Sequence, residues 1–362
     1  MSAILKFIRE NHILALIEQA IAKKKSRLSL NGYEIAEIPD LLYRCFEVEH
    51  LYLHKNKITS VPVQIVQLVN LTTLTLDYNN LSWLPSEIGN LKNLVNLNIS
   101  YNPLGVLIPE IGDLENLEAF WCNRIGLQEI PKEIGKLVKL DTFGARGNQL
   151  KCVPEEMTQL AKLRWLTLEN NQIETLPTTM DQMELLVHCN LRNNRIAEFP
   201  VSILKCPDLM FLQLNHNRIS SIPENLDTSF APLLEMIDLR ENPVSEIEHI
   251  VTHPLVKLTD REALPPPAIR PQLALQVNGT AIRPPAPRRP PPDNEPEQII
   301  VEIEMEGSSA ESSEDWENSV NSSELDVQYQ SEDERVDNDI AQFFQAVGMV
   351  LPELSRYAST AS

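Results

Sequence analysis

The sequence predicts an α/β solenoid, a horseshoe with a concave parallel β-sheet followed by a disordered tail. Three observations predict it. Pro39, Pro62, Pro85, Pro109, Pro131, Pro154, Pro177, Pro200 and Pro223 recur every 22 to 24 residues. Asn56, Asn79, Asn102, Asn148, Asn171, Asn194, Asn217 and Asn242 form a second ladder. Between them runs an apolar pattern, L-x-x-L-x-L-x-x-N-x-L-x-x-L-P, complete at Leu71, Leu74, Leu76, Asn79, Leu81, Leu84 and Pro85 and again, with Ile173, over residues 163–177. A fixed period of this length marks stacked supersecondary units, none of which buries its apolar face alone.

The elements follow in chain order. Ile4, Ile8, Ile13, Ile17 and Ile21 are at broadly helical spacing ahead of Lys23-Lys24-Lys25. This predicts an N-terminal cap helix over 1–24, with a membrane-surface helix as the alternative raised by the lysines. Each L-x-L then alternates with period two, so its leucines face inward and its x residues face outward on one short parallel strand. Ten units fit residues 25–258, counting a degenerate first (Leu28, Leu30, Ile35, Ile38, Pro39) and a last without its proline. The ladder Asn carries one acceptor and two donors for backbone groups at a buried turn. Pro starts the return segment, a helix or tight turn where no ladder N–H is required. One unit departs from the pattern: Leu117, Phe120, Cys122, Ile125, Leu127, Ile130 and Pro131 place Ile125 where Asn belongs. That predicts either a tolerated distortion or a kink at Trp121 and Arg124. Ile247, Ile250, Val251, Leu255, Val256 and Leu258 are expected to close the far end.

This pattern resembles the leucine-rich-repeat family over roughly residues 25–250. The 23-residue form, with Leu84-Pro85-Ser86-Glu87-Ile88-Gly89-Asn90-Leu91 after the strand, is similar to the intracellular Ras-group subfamily. The resemblance implies a scaffold that assembles a signalling complex, with a small GTPase or a phosphatase as implied partner.

Composition changes near residue 259. From Asp260 onward there are 20 acidic and 7 basic residues, against 31 and 24 before it. Residues 265–296 hold 11 prolines in 32 positions and are expected to be extended. Within them Pro284–Pro292 is a candidate ligand for an SH3-like domain, with a plain spacer as the alternative. Residues 302–339 are acidic and serine-rich, with Arg335 the only basic side chain. Ser308, Ser312 and Ser331 each precede an acidic residue by three positions, a context suited to acidophilic kinases. The whole of 259–339 reads as disordered. Residues 340–357 form a short amphipathic segment, with Phe343 and Phe344 as candidate docking residues and Pro352 as its stop.

Composition also narrows function. A net charge of -20 disfavours nucleic-acid backbones and anionic membranes. The 5 cysteines make no C-x-x-C pair, so neither a zinc site nor a disulfide framework is expected, and no cofactor is called for. No apolar run approaches a membrane span and no signal-peptide pattern opens the chain, which predicts a reduced cytoplasmic protein, with the nucleus open. Gly-rich phosphate loops, H-E-x-x-H and G-x-S-x-G are missing from the sequence, so no enzyme is expected. The outward strand positions are therefore the candidate site. Tyr52, Trp121, Trp165 and Phe211 are aromatic anchors there, and Arg146, Arg192 and Arg240 form a column on alternate units. The plainer reading has the aromatics stacking along the ladder and the arginines pairing with Glu169 and Glu241. The function expected is a protein-binding adaptor or scaffold. A substrate-recognition subunit of a ubiquitin ligase is the alternative, and a structural spacer a third.

Overall fold

The computed structural model describes residues 3–223, 229, 231–246 and 255–258. The proline-rich, acidic and Phe343/Phe344 segments lie outside them. The chain begins with α1 (Ala3–Ala22). Ile13, Ile17 and Ala20 are its buried stripe, at i, i+4 and i+7, and Cys45 packs beneath Ile17. Phe7 and Ile4 at its start are exposed. Lys24, at φ 48°, ends the helix, and Lys25 N–H donates to Ala20 O.

Eleven strands follow in one parallel sheet, in strict chain order. They are β1 (Arg27–Ser29), β2 (His50–Tyr52), β3 (Thr73–Thr75), β4 (Asn96–Asn98), β5 (Ala119–Trp121), β6 (Thr142–Gly144), β7 (Trp165–Thr167), β8 (His188–Asn190), β9 (Phe211–Gln213), β10 (Met236–Asp238) and β11 (Val256–Lys257). That is one strand more than the ten units expected. Val256 and Lys257, read as closing residues, instead pair with Ile237 and Asp238. Leu51, Leu74, Leu97, Phe120, Phe143, Leu166, Cys189 and Leu212 stand in register and are all buried. The pairing runs unbroken through β4, β5 and β6, so the departure at Ile125 leaves the strands in line.

The return segments are single 3₁₀ turns, among them Val63–Gln67, Ser86–Asn90, Lys132–Lys136 and Glu155–Gln159. In each of these the preceding proline is extended, and its carbonyl accepts the N–H three residues on, as Pro62 O does from Ile65 at 3.0 Å. The ladder asparagines close the other corner. Asn79 Oδ1 accepts from Ile58 N–H at 3.0 Å, and its Nδ2 donates to the carbonyls of Leu53 and Leu76, both at 2.9 Å. Asn102, Asn171, Asn194 and Asn217 repeat this arrangement. At Ile125 the ladder is broken, and Asn148 compensates: its Oδ1 accepts from both Ile125 N–H at 2.9 Å and Leu127 N–H at 3.1 Å.

Candidate functional site

Three outward positions per strand form columns across the sheet, as the alternation requires. They are not uniformly open. On β3, Thr73 and Thr75 are buried by their neighbours. Between β5 and β9 the face carries Trp121, Trp165, His188 and Phe211.

The first feature is an aromatic ridge. Trp165 and His188 stack with ring centroids 5.2 Å apart and planes at 27°, and His188 meets Phe211 at 6.4 Å and 48°. Trp165 and Phe211 are half-buried: the ring contacts with His188 cover part of each and leave the rest open, the stacking along the ladder that the plainer reading expects. His188 between them is buried, its Nδ1 without a hydrogen bond, and burial pushes its pKa down to about 4. His188 occupies an outward strand position by the same alternation, but only its aromatic neighbours Trp165 and Phe211 are singled out as anchors by the sequence.

The second feature is Trp121. Its neighbour in register on β6 is Gly144. A Cβ on Gly144 would lie 2.9 Å from Trp121 Cδ1, so the indole leans into space that only a glycine leaves. Nearby, Asn123 Oδ1 accepts from Arg146 N–H at 2.8 Å.

The third feature is the arginine column, which the structure divides. Arg146 lies 3.5 Å from Glu169 and donates to Tyr101 Oη at 3.3 Å. Arg240 chelates Asp238, with Nε at 2.9 and 3.1 Å and Nη2 at 2.6 Å, so its acid is Asp238 and not the Glu241 expected. Arg192 is exposed and has no ion pair among the described residues. The reason is local. Glu169, the acid beside it, is already engaged by Arg146, by Asn170 Nδ2 at 3.1 Å and by Asn190 Nδ2 at 2.8 Å. Tyr52 is separate: it lies three strands from Trp121, with the Arg27 guanidinium 4.6 Å from its ring centroid.

A further row borders the face. The residue just after the third column has φ between 50° and 72° in ten successive units, from Gly32 to Glu241. This left-handed turn aims side chains along the rim. Tyr78 and Tyr101 stack there at 4.1 Å and 9°, and the Arg124 guanidinium lies 5.8 Å from the Tyr101 ring. Tyr78 and Tyr101 recur at the repeat period, so the signal was present, one position beyond the strand columns. On the opposite edge a polar cleft of about 460 Å³ is lined by Glu49, Asn70, Thr72, Asn93, Val95, Asn116 and Glu118. Its asparagines bond the carbonyls of Phe46, Val69 and Lys92, which makes them part of the framework.

Cys122 and Cys189 are fully buried on core positions, and burial pushes both thiols far up, away from the reactive thiolate. Among the described residues no three His, Cys, Asp or Glu side chains converge to hold a metal. No helix among them is long and apolar enough to cross a membrane.

Comparison with known proteins agrees with this architecture. The leucine-rich-repeat family model matches residues 46–104. No curated protein matches the chain. Among solved structures, the functional domain of InlJ from Listeria monocytogenes is similar at 23% identity and a TM-score of 0.52, over 64% of this chain and 47% of that one. The ectodomain of the plant receptor kinase GASSHO1/SCHENGEN3 from Arabidopsis thaliana, in complex with Casparian strip integrity factor 2, is similar at 25% identity and a TM-score of 0.50, over 62% of this chain and 28% of that one. A repeat protein of Leptospira interrogans gives 26% identity and a TM-score of 0.42, over 62% of this chain and 75% of its own.

Proposed function

We propose that this leucine-rich-repeat protein is a non-enzymatic adaptor that holds a partner protein against the outward face of β5 to β9. The observation that carries the reading is the ridge of Trp165, His188 and Phe211, with Trp121 two strands before it over Gly144. A solenoid needs no large aromatics on that face, because its core is filled from the inward positions. Half-buried aromatics with their contacts already ordered lose little entropy on binding, which is the profile of an interface hot spot. Arg192, four residues beyond His188, adds an exposed cation without an ion pair among the described residues. The similar plant ectodomain was solved with a bound partner, which supports a binding role for such a solenoid. A place in Ras-type or phosphatase signalling, and a cytoplasmic location, belong to this reading through the sequence resemblance.

The test is affinity purification with quantitative mass spectrometry, comparing wild type with Trp121→Ala/Trp165→Ala/Arg192→Glu after circular dichroism shows that the variant is folded. Loss of a discrete set of proteins is expected. An unchanged set places partner binding elsewhere on the chain.

A further inference from the structure

The rim of the last repeats carries cationic charge that the solenoid itself does not neutralise. Arg192 follows β8, Arg195 lies three residues on, and Arg218 occupies the position equivalent to Arg195 in the next unit. Backbone bonds keep these units in step: Arg195 N–H donates to Ile173 O at 2.8 Å, and Arg218 N–H to Ile196 O at 2.9 Å. Arg192 and Arg218 are exposed and Arg195 is half-buried. None of the three forms an ion pair among the described residues. Two acids of the neighbouring strands are engaged elsewhere. Glu169 is held by Arg146 and two asparagines, and Asp238 by Arg240. Glu198 and Glu241 are exposed on the same rim and pair with none of them. Residues 188–198 and 211–221 hold these three arginines and Glu198 as the only acid, in a chain whose net charge is -20.

The opposite charge is concentrated in one segment. Residues 302–339 hold 14 acidic side chains and Arg335 alone as a base. The segment is tethered close to the rim. Leu258 ends the described chain beside β11, three strands from β8, which is about 15 Å at strand spacing. The 43 residues from 259 to 301 reach far beyond that, at roughly 3.3 Å per extended residue. The tether also raises the local concentration of acid at the rim, so weak single contacts add up.

We propose that the acidic segment 302–339 docks on the Arg192, Arg195 and Arg218 rim of its own solenoid, beyond the strand ends that follow the aromatic ridge. The contact deepens the binding reading above, because a partner that uses Arg192 then competes with the chain's own acid. Phosphate on Ser308, Ser312 or Ser331 strengthens the contact by adding charge. An acidic stretch and an arginine fork need no fixed register to attract, so the interaction is electrostatic and salt-sensitive.

The test uses the full chain without any partner, so it fails or succeeds separately from the partner-binding reading. Cys152 is the exposed cysteine, on the same rim two units before Glu198, whereas Cys45, Cys122, Cys189 and Cys206 are buried. A nitroxide on Cys152 should weaken the NMR signals of residues 302–339, and reduction of the label should restore them. The weakening should vanish at ~1 M salt, where the Debye length is about 3 Å. It should vanish in Arg192→Glu/Arg195→Glu/Arg218→Glu, and fall in Glu332→Gln/Asp333→Asn/Glu334→Gln, which leaves the repeats untouched. Four results would overturn the proposal: no weakening in the wild type, weakening that survives the arginine reversal in a folded variant, weakening confined to the Phe343/Phe344 segment, or weakening transferred between labelled and unlabelled copies and lost on dilution.

Discussion

Replacing Asn148 by alanine should destabilise the protein about twice as much as replacing Asn171, although the two occupy equivalent ladder positions. In Asn171→Ala one backbone group loses its only partner, the Leu150 N–H that donates to Oδ1 at 3.1 Å. The carbonyls of Ala145 and Leu168 each keep a second asparagine donor, from Asn148 and Asn194. One orphaned buried N–H and two weakened carbonyls amount to about 3 kcal/mol. In Asn148→Ala three groups lose their partner: Ile125 N–H, Leu127 N–H and the Cys122 carbonyl, which has no second ladder asparagine because position 125 is isoleucine. At roughly 1–2 kcal/mol each, with the loss at Ala145 O added, the cost is about 5–6 kcal/mol. Urea denaturation followed by circular dichroism measures both. With a slope near 3 kcal/mol per M, the midpoints should fall by about 1 M and about 2 M. Equal losses in the two variants would refute the claim that Asn148 serves two corners of the ladder.

Other outcomes follow from the same contacts. His188 is held uncharged by burial, with its pKa pushed down to about 4 against 6.5 for a free imidazole, so the unfolded chain binds a proton more readily between those values. Its contribution to stability is complete above pH 6.5 and is lost as pH falls toward 4, by about 3 kcal/mol, and denaturation of His188→Gln should show a correspondingly flatter pH dependence. Under native conditions a thiol reagent should modify Cys152 alone and reach Cys122 and Cys189 only on unfolding; rapid modification of either buried thiol would contradict the packing. Gly144→Val should displace the Trp121 indole, whose Cδ1 would meet the new Cβ at 2.9 Å, and weaken partner binding about tenfold or more, as loss of a hot spot does.

The framework was legible because it is periodic. Leu74, Asn79 and Pro85 each recur at one spacing, and each has a single physical task in the fold. The strand columns were legible for the same reason: alternation alone places Trp121, Trp165 and Phe211 outward. Pairing between side chains was not. Whether Arg240 turns to Glu241 or to Asp238 depends on a left-handed turn that sends residue 241 away from the face, and no spacing rule expresses that. Likewise Arg192 has no ion pair among the described residues because Asn190, Asn170 and Arg146 engage Glu169, the acid beside it. The eleventh strand was missed because Val256 and Lys257 carry none of the repeat's asparagine or proline signals and are recruited by the open edge of β10.

The most direct test of the binding face is hydroxyl-radical footprinting of the chain alone and in complex with a partner recovered by affinity purification. Trp83, half-exposed and off the outward strand columns, is the internal reference. Oxidation of Trp121, Trp165 and Phe211 should fall several-fold in the complex while Trp83 oxidises at its free rate. Unchanged oxidation of Trp121 and Trp165, with the partner bound, would contradict the assignment of this face.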